Sequence, residues 1–379
     1  GIASSPAISS LSAGSHSINA SYGGDTDFSP SFNNSLSQQV NKASTNTSIK
    51  SSLNPSVYGQ PVTFTATVNA TAPSNGTPTG TVTFRDGPTV LGTGTLAGVI
   101  ATSPAISSLS VGSHPTNASY GGDANFTASY NNTLSQQVNQ ASTTTSIQSS
   151  LNPSVYGQPV TFTATVNATA PGAGTPTGTV TFRDGPTVLG TGTLAGGIAT
   201  SPAISSFSVG SHPINASYGG DSNFTASYDN TLTQLVNQAS TTTAIQSSLN
   251  PSVFGQPITF TVTVNATAPG AGTPTGTVQF FDGATLIGSG SLTGGIGSSP
   301  AISSLSAGSH SINASYGGDA NFSASYNNTL SQQVNQASTN TSIQSSLNPS
   351  VFGQPVTFLA TVNATNPAAG TPTGTVQFF

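Results

Sequence analysis

Apolar and polar residues alternate along several short segments of this chain. In one segment, residues 160–167, the sequence reads V-T-F-T-A-T-V-N, so an apolar side chain occupies every second position. The same alternation recurs at Thr179–Arg183 and Ile214–Tyr218. A period of two places successive side chains on opposite faces of an extended strand. The pattern therefore predicts short β-strands with one buried and one exposed face, and no segment has the period of an amphipathic helix.

Residues that favour turns separate these alternating segments. Glycine accepts positive φ and proline fixes φ near −65°, so clusters of such residues end a strand and reverse the chain. We therefore expect several short antiparallel strands and an all-β fold. The turn clusters in one stretch of the chain are Asn152-Pro153, Gly172-Ala173-Gly174, Asp184-Gly185 and Gly219-Gly220-Asp221.

The whole chain is built from a unit that repeats every 98 residues. The segment N-P-S-V-Y-G-Q-P starts at Asn54 and returns three times at this spacing, with phenylalanine in place of tyrosine in the last two copies. No insertion or deletion interrupts the period, so one packing arrangement and one junction geometry are expected to recur along an extended array. The four histidines keep the same spacing: His16, His114, His212 and His310.

The period predicts three complete repeats and two half-repeats. The complete repeats are 44–141, 142–239 and 240–337, with the C-terminal half of a repeat at 1–43 and the N-terminal half at 338–379. Together the half-repeats lack 13 residues of a full unit, those equivalent to Asp282–Gly294. Half of a sandwich exposes unpaired strand edges. The sequence therefore predicts either a longer continuous array or the completion of one subunit's half-repeat by that of the next, as in strand complementation.

A unit of this size with about seven short antiparallel strands is typical of an immunoglobulin-like β-sandwich. The chain has no cysteine, so disulfides cannot contribute to its stability. Burial of each large apolar side chain contributes roughly 1.5 to 3 kcal/mol, which lets a core of this size support folding alone. The residues expected between the two sheets of the second repeat are Val160, Phe162, Val166, Val180, Phe182, Ile198, Ile214 and Tyr218.

Three motifs resemble those of the bacterial Ig-like domain-repeat proteins. They are N-P-S-x-x-G-Q-x-V-T-F at 152–162, G-T-P-T-G-T-V-x-F at 174–182 and G-x-H-x-I-x-A-x-Y-x-G-D-x-N-F at 210–224. The resemblance covers nearly the whole chain and implies tandem Ig-like sandwiches. It also implies a secreted or surface-displayed stalk, adhesin or matrix protein, without a shared ligand. The near absence of charge differs from that family and indicates a specialised surface.

Charged residues make up only 3% of the chain, about a tenth of ordinary usage. With 4 Lys+Arg against 9 Asp+Glu and a net charge of −5, the sequence has no basic stripe that could bind nucleic acid. No apolar run approaches the roughly 18 residues that a membrane span needs. We therefore expect no nucleic-acid partner and no membrane insertion.

The few candidates for chemistry each favour a structural role. Ser211, His212 and Asp221 have the residue types of a catalytic triad, but neighbours on a strand face opposite ways, so Ser211 cannot readily reach His212. The glycine-rich segment 190–196 matches no phosphate-binding spacing and is predicted to be a hairpin. Asp184 and Asp221 lack the carboxylate cluster that calcium usually requires. The sequence predicts no enzyme, no cofactor and no metal site.

Asparagine begins an N-x-S/T motif, the acceptor for N-glycosylation, at 17 of its 30 positions. Asn167 and Asn215 each follow an inward-facing residue of a predicted strand, so their side chains are expected to face outward, where a glycan is tolerated. Glycans would also keep a nearly uncharged surface from associating. The candidate sites are Asn19, Asn69, Asn117, Asn125, Asn131, Asn167, Asn215, Asn223, Asn265, Asn313, Asn321, Asn327 and Asn363, with further motifs at Asn33, Asn46, Asn75 and Asn340.

These patterns favour an extracellular or cell-surface structural protein. The expectation is a rod or filament of a matrix, sheath or surface appendage, formed by self-association of end-to-end sandwiches and carrying attached glycans. The alternative is the stalk or ligand-binding array of a cell-surface adhesin, with its ligand site on loops at one end of a sandwich.

Overall fold

The structure is a computed structural model that describes residues 1–379 and contains β-strands but no helix. It confirms the predicted all-β fold of tandem immunoglobulin-like repeats. The first half-repeat forms one hairpin of β1 (Gly14–Tyr22) and β2 (Ser31–Val40).

Each complete repeat contains eight strands at equivalent positions. This is one more than the predicted seven, because two residues near each Asn-Pro pair form a short parallel strand. The strands of the first repeat are β3 (Thr45–Ser51), β4 (Ser56–Val57), β5 (Phe64–Ala70), β6 (Thr81–Asp86), β7 (Thr89–Thr95), β8 (Ile100–Thr102), β9 (Gly112–Tyr120) and β10 (Ser129–Asn139).

The remaining strands continue the same series. The second repeat contains β11 (Thr143–Ser149), β12 (Ser154–Val155), β13 (Phe162–Ala168), β14 (Thr179–Asp184), β15 (Thr187–Thr193), β16 (Ile198–Thr200), β17 (Gly210–Tyr218) and β18 (Ser227–Asn237). The third contains β19 (Thr241–Ser247), β20 (Ser252–Val253), β21 (Phe260–Ala266), β22 (Thr277–Asp282), β23 (Thr285–Ser291), β24 (Ile296–Ser298), β25 (Gly308–Tyr316) and β26 (Ser325–Asn335). The last half-repeat contains β27 (Thr339–Ser345) and β28 (Phe358–Ala364).

Two sheets form each complete repeat. In the second repeat a five-stranded sheet has the order β12-β18-β17-β14-β15, and a three-stranded sheet has the order β11-β13-β16. All neighbours are antiparallel except β12 and β18. The inward faces of both sheets enclose one core per repeat, as in other β-sandwiches.

The core of the second repeat contains seven of the eight residues predicted for it, each no more than 1% exposed. The prediction for Ile198 was wrong, since this side chain is 49% exposed and its neighbour Ala199 is buried instead. Ala195 and Ile198 exchange two backbone hydrogen bonds that close a turn, and β16 leaves this turn with Ile198 on the outer face. The turn therefore sets which of two adjacent residues enters the core.

A bulge shifts the alternation along β18. Between the pairs Ile214↔Leu232 and Ala216↔Asp229, β18 has one residue more than β17. Positions of the same parity therefore point to opposite faces on the two sides of the bulge. As a result Tyr228 is 70% exposed, although it lies an even number of residues from the buried Gln234 and Val236 on the same strand.

Candidate functional site at the junctions between repeats

Each repeat is joined to the next by a residue that packs into the following core. Ala141 is fully buried in the core of the repeat after it, although the predicted boundary places it at the end of the repeat before. Its N–H donates to Asn223 O at 2.9 Å and its carbonyl accepts from Thr225 N–H at 2.9 Å. Ala43 and Ala239 make the same bonds. The chain therefore crosses between repeats without a free linker.

The residue before this alanine adds a side-chain contact to the next repeat. Gln140 Nε2 donates to Asp221 O at 2.7 Å, and Gln238 Nε2 donates to Asp319 O at 2.7 Å. At the first junction Lys42 Nζ takes this place and donates to Asp123 O at 2.6 Å. All three contacts hold the linker against the loop that precedes the last strand of the next repeat.

An aromatic ring at the end of one repeat packs against a phenylalanine of the next. Tyr58 follows β4, and its ring meets that of Phe224 edge to face, with centroids 5.4 Å apart and planes at 81°. Tyr156 meets Phe322 in the same way, at 5.3 Å and 79°. We call this pairing the aromatic contact. Such pairs are worth about 0.5 to 1.5 kcal/mol beyond the area they bury, and their geometry orients one repeat on the next.

Glycine beside each of these tyrosines lets the two backbones approach. Gly157 has a φ of +78°, and a Cβ there would overlap the carbonyl of Ala271 in the next repeat. Ala271 N–H donates to Tyr156 O at 3.2 Å, a backbone hydrogen bond between repeats. Gly59 is held in the same way against Ala173. A side chain at either glycine would separate the repeats.

Asp221 shapes the loop that carries Phe224 into the aromatic contact. Its Oδ1 accepts from the N–H groups of Asn223 and Phe224 at 2.8 and 3.0 Å. Its Oδ2 accepts from Thr177 N–H at 2.9 Å and Thr177 Oγ1 at 2.6 Å. Burial opposes ionisation, but these hydrogen bonds outweigh it and lower the pKa of Asp221. Both carboxylate oxygens are therefore occupied by hydrogen bonds, one within the loop and the other with Thr177.

The structure does not assemble the triad considered from the sequence. His212 Nδ1 lies 2.7 Å from Asp184 Oδ2, and His212 Nε2 lies 3.0 Å from Ser208 O, so the partner of the ring is Asp184 and not Asp221. Ser211 is exposed on the opposite face of β17. Ser208 Oγ also lies 3.5 Å from His212 Nε2, but that nitrogen is closer to the Ser208 carbonyl. In the other complete repeats only the carbonyl of the equivalent serine contacts the ring, so the pair has the geometry of a structural contact. Sequence reasoning missed the pair because its members are 28 residues apart on different strands.

The other candidates for chemistry are also separated. Asp184 is paired with His212, whereas Asp221 is bound within its loop, and no group of three or more His, Cys, Asp or Glu residues could hold a metal ion. Gly190 and Gly192 lie in β15, so the glycine-rich segment forms an edge strand followed by the turn at Ala195. Gly192 packs on the backbone of Thr200, where a Cβ would collide.

The N-x-S/T motifs fall into groups with different surroundings. Asn131 Oδ1 accepts from Thr133 N–H and Oγ1, which makes the third residue of the motif part of a turn. Asp229 makes the same bonds to Thr231 in the next repeat, so the position needs an acceptor and not an amide. Asn327 matches Asn131 and also donates from Nδ2 to Thr243 O at 3.1 Å. A structural role explains the motif at these places.

Motifs on the central strand of the larger sheet are partly covered. Asn215 alternates with the buried Ile214 and Ala216, as expected for an outer face, and it is half-buried there. Its equivalent Asn313 donates from Nδ2 to Gly283 O at 2.9 Å, while its Oδ1 is buried. Asn117 is also half-buried, and Asn125, Asn223 and Asn321 lie in the junction loops, whereas Asn19 is exposed.

One group of motifs is open to solvent in every copy. These asparagines are exposed near the ends of β5, β13, β21 and β28, and their side chains make no hydrogen bond within the chain. The exposure predicted for Asn167 agrees with its place in this group. We call the four residues the asparagine row: Asn69, Asn167, Asn265 and Asn363.

A second exposed row consists of tyrosines that the sequence analysis overlooked. Tyr130, Tyr228 and Tyr326 are 72%, 70% and 76% exposed on β10, β18 and β26. Tyr218, in contrast, is buried as the alternation predicted. A bulge had to be placed before the outward orientation of Tyr228 could be read from the sequence.

The sandwich cores and repeated junctions define a tandem array of Ig-like domains. The sequence profile described as bacterial Ig-like domain (group 3) matches residues 49–139, 147–237 and 245–335. These matches span most of the chain, which therefore belongs to the bacterial Ig-like domain family. No curated protein sequence gives a match.

Several solved structures are similar to the chain at low identity. One contains the fibronectin(III)-like modules of Clostridium thermocellum CbhA, at 18% identity over 51% of this chain and 94% of that chain, with a TM-score of 0.23. The Escherichia coli adhesin FdeC is 14% identical over 76% and 96%, with a TM-score of 0.25. Three domains of Hoc from bacteriophage RB49 are 15% identical over 78% and 100%, with a TM-score of 0.24. The chain has no helix with the length and apolar character needed to cross a membrane.

Proposed function

We propose that this chain is a structural protein that works outside the cell or at its surface, where its repeats form a rod. The observation that carries the proposal is the recurrence of one junction. Tyr58 and Tyr156 make the aromatic contact with nearly identical geometry, beside a glycine that admits a backbone hydrogen bond between repeats. A direction fixed by the same contacts at each step is what an extended rod requires.

The rod is supported by three kinds of contact at each of these junctions. The linker alanine is hydrogen-bonded as part of the next repeat, the residue before it donates to the next loop, and the aromatic ring packs edge to face. Bending the junction would break all three together. With strands of about ten residues at about 3.3 Å per residue, each repeat adds roughly 35 Å to the length.

Small-angle X-ray scattering on purified protein tests the rod. The wild-type chain is expected to give the profile of a stiff, extended particle. Tyr58→Ala with Tyr156→Ala should give a shorter average length and a more flexible profile, while each repeat keeps its unfolding temperature to within a few degrees. The matched control is Tyr130→Ala with Tyr228→Ala, which removes two exposed tyrosines away from the junctions. A flexible wild-type chain would contradict the proposal.

A filament formed by self-association is the second part of the proposal. Apolar residues that are buried in the complete repeats are open in the half-repeats. Phe28 is 69% exposed where its equivalent Phe126 is 6%, and Phe358 is 54% exposed where Phe260 is 0%. Electron microscopy and sedimentation test this: Phe28→Asp and Phe358→Asp should each reduce assembly, and a monodisperse wild-type monomer at high concentration would contradict it.

Glycosylation is the third part, and the asparagine row is the set of sites we propose. These four asparagines are exposed and their amides are free, and one recurs in each copy. Mass mapping of tryptic and chymotryptic peptides from the native protein should find glycans on Asn167 and its equivalents and none on Asn131 or Asn327. An intact mass equal to the 37.4 kDa of the polypeptide would contradict it.

The exposed tyrosines favour a second candidate, an adhesin that binds carbohydrate. A tyrosine ring offers a flat apolar face and a polar hydroxyl, and Tyr130, Tyr228 and Tyr326 provide one exposed ring in each complete repeat. Selective binding on a glycan array that is lost in Tyr130→Ala, Tyr228→Ala and Tyr326→Ala combined would favour the adhesin. Assembly without such binding would favour the rod.

A further inference from the structure

Each complete repeat contains a histidine whose two ring nitrogens both face oxygen acceptors. His114 Nδ1 lies 2.7 Å from Asp86 Oδ2 and Nε2 lies 2.8 Å from Ser110 O. His310 has the same contacts with Asp282 and Ser306, at 2.7 and 2.8 Å. A neutral imidazole carries one N–H and would turn a lone pair toward one of these oxygens, whereas the protonated ring donates to both. For His114 and His310 the geometry therefore selects the imidazolium form.

The His114–Asp86 pair lies at the edge of the core, at the end of the repeat that meets the next repeat. In β9 and β6, His114 and Asp86 continue the inward-facing series of Ala118 and Phe84. Only 12% and 23% of their side chains are exposed. An ion pair that is largely shielded from water attracts more strongly than one on the surface.

Few other charges act on the ring. Arg85 is next to Asp86 and uses Nη1 to donate to Pro88 O at 3.1 Å. The third repeat has Phe281 at that position, yet His310 keeps the same two contacts. The strand paired with β9, β10, and the segment 104–111 contain no charged residue. The histidine thus responds to one carboxylate and one carbonyl.

We propose that two pairs, His114–Asp86 and His310–Asp282, are latches. In each, a protonated imidazole ties the loop before β9 or β25 to the hairpin after β6 or β22, and the latch opens when the ring loses its proton. The loop that is tied reaches the junction: Ala307 follows Ser306 and lines a pocket with Ala337 and Gly370 of the next segment. Opening would therefore loosen the end of a repeat where it meets its neighbour.

The direction of the pH dependence follows from the ring's surroundings. Burial of His114 opposes protonation, but the Ser110 carbonyl and the Asp86 carboxylate outweigh it and raise its pKa above 6.5. Ser306 and Asp282 raise the pKa of His310 in the same way. A raised pKa in the folded state gives stability that is fully present below about pH 6.5 and is lost as pH rises through the folded value. The latch is thus closed in mild acid and opens toward alkaline pH.

Two measurements on the full chain test the latch. With only four histidines, the imidazole ¹⁵N resonances can be assigned through single His→Gln variants. His114 and His310 are expected to carry protons on both nitrogens at pH 6 and to lose one at a midpoint above 6.5. Asp86→Asn should lower the midpoint of His114 and leave that of His310 unchanged. Rings that are neutral at pH 6 would overturn the proposal.

Thermal unfolding at pH 6 and pH 9 provides the second readout. The wild-type chain should lose several degrees of melting temperature between these values, and hydrogen exchange around Ser306 and Ala307, corrected for its intrinsic pH dependence, should rise several-fold. The double variant Asp86→Asn and Asp282→Asn should show less than half of this loss, whereas the control Asp27→Asn, on an exposed turn, should show all of it. An equal loss in wild type and double variant would overturn the latch without bearing on the rod.

Discussion

Strand β21 in the third repeat and β28 in the last half-repeat have similar sequences and the same strand pairing, but they differ in burial. Their sequences are F-T-V-T-V-N-A and F-L-A-T-V-N-A. β21 pairs with β19 and β28 pairs with β27, each over seven positions and in the same register. Phe260 in β21 is nevertheless fully buried and Phe358 in β28 is 54% exposed. Alternation and turns are enough to specify a hairpin, but the core exists only where the second sheet covers it.

The largest difference in stability between the two strands is expected when the phenylalanine ring of each is removed. Phe260→Ala should destabilise the third repeat by about 3 to 5 kcal/mol, because it removes a fully buried ring and leaves a cavity. Phe358→Ala should change stability by less than about 0.5 kcal/mol, as for other exposed positions. Calorimetry of the full chain should show one part of the unfolding transition moving to lower temperature in the first variant only. Equal effects would mean that the half-repeat is covered in solution.

A smaller effect is expected at the glycine that precedes each junction. Gly157 and Gly353 both have positive φ, at +78° and +86°, so alanine strains the backbone by about 1 to 2 kcal/mol in either place. Only Gly157→Ala also pushes against a neighbour, the carbonyl of Ala271. Spin labels on Ser211→Cys and Ser309→Cys, in a chain without other cysteines, should give a broader distance distribution with Gly157→Ala and an unchanged one with Gly353→Ala. A narrow distribution in both would show that the junction tolerates the clash.

Acid should affect the complete repeats more than the first half-repeat. Asp221 binds Thr177 across the loop, whereas its equivalent Asp25 bonds only to residues beside it, Tyr22, Asp27 and Phe28. A lowered pKa in the folded state gives stability that is present above the unfolded value of about 3.8 and is lost as pH falls toward the folded value. Thermal melts from pH 5 to 2 should therefore show falling stability. Asp221→Asn should cost about 1 to 2 kcal/mol at pH 6 and flatten this fall, and Asp25→Asn should do neither.

The smallest effect is expected at the asparagine of the bulge. Asn131→Asp should change the stability of the first repeat by less than about 0.5 kcal/mol, because Asp229 already makes the same bonds in the second repeat. Asn131→Ala should cost about 1 kcal/mol, since Thr133 N–H then loses its acceptor. Asn33→Ala, which removes the same turn from the half-repeat, should leave all three repeats unchanged in calorimetry. If Asn131→Asp were as damaging as alanine, the amide itself would be needed.

Much of the fold could be predicted because its determinants are local. The period of 98 residues, the alternating strands and the turn residues were sufficient for the all-β sandwich, and seven of eight core residues in the second repeat followed from alternation. Ile198 was placed wrongly because a turn decided which neighbour faced inward. Tyr228 was overlooked because one extra residue in β18 reversed the parity of the pattern.

The candidate sites depended more on contacts between distant segments. The sequence supplied the residue types and the N-x-S/T motifs, but the structure pairs His212 with Asp184 and not with Asp221, and it separates the exposed asparagine row from motifs that serve turns. Strand neighbours such as β14 and β17 are adjacent only through the sheet order. The strand order cannot be read from residue spacing, because hydrogen bonds between strands join residues at any separation in the sequence.

The sequence by itself thus determined the repeat, the strands and the class of fold, because a side-chain period of two and a turn are properties of neighbouring residues. Only the tertiary structure decided which apolar faces are covered, which histidine meets which carboxylate, and how Tyr58 packs against Phe224 in another repeat. Burial, ion pairing and ring packing act through space, and the chain brings those groups together only when both sheets and both neighbouring repeats are in place.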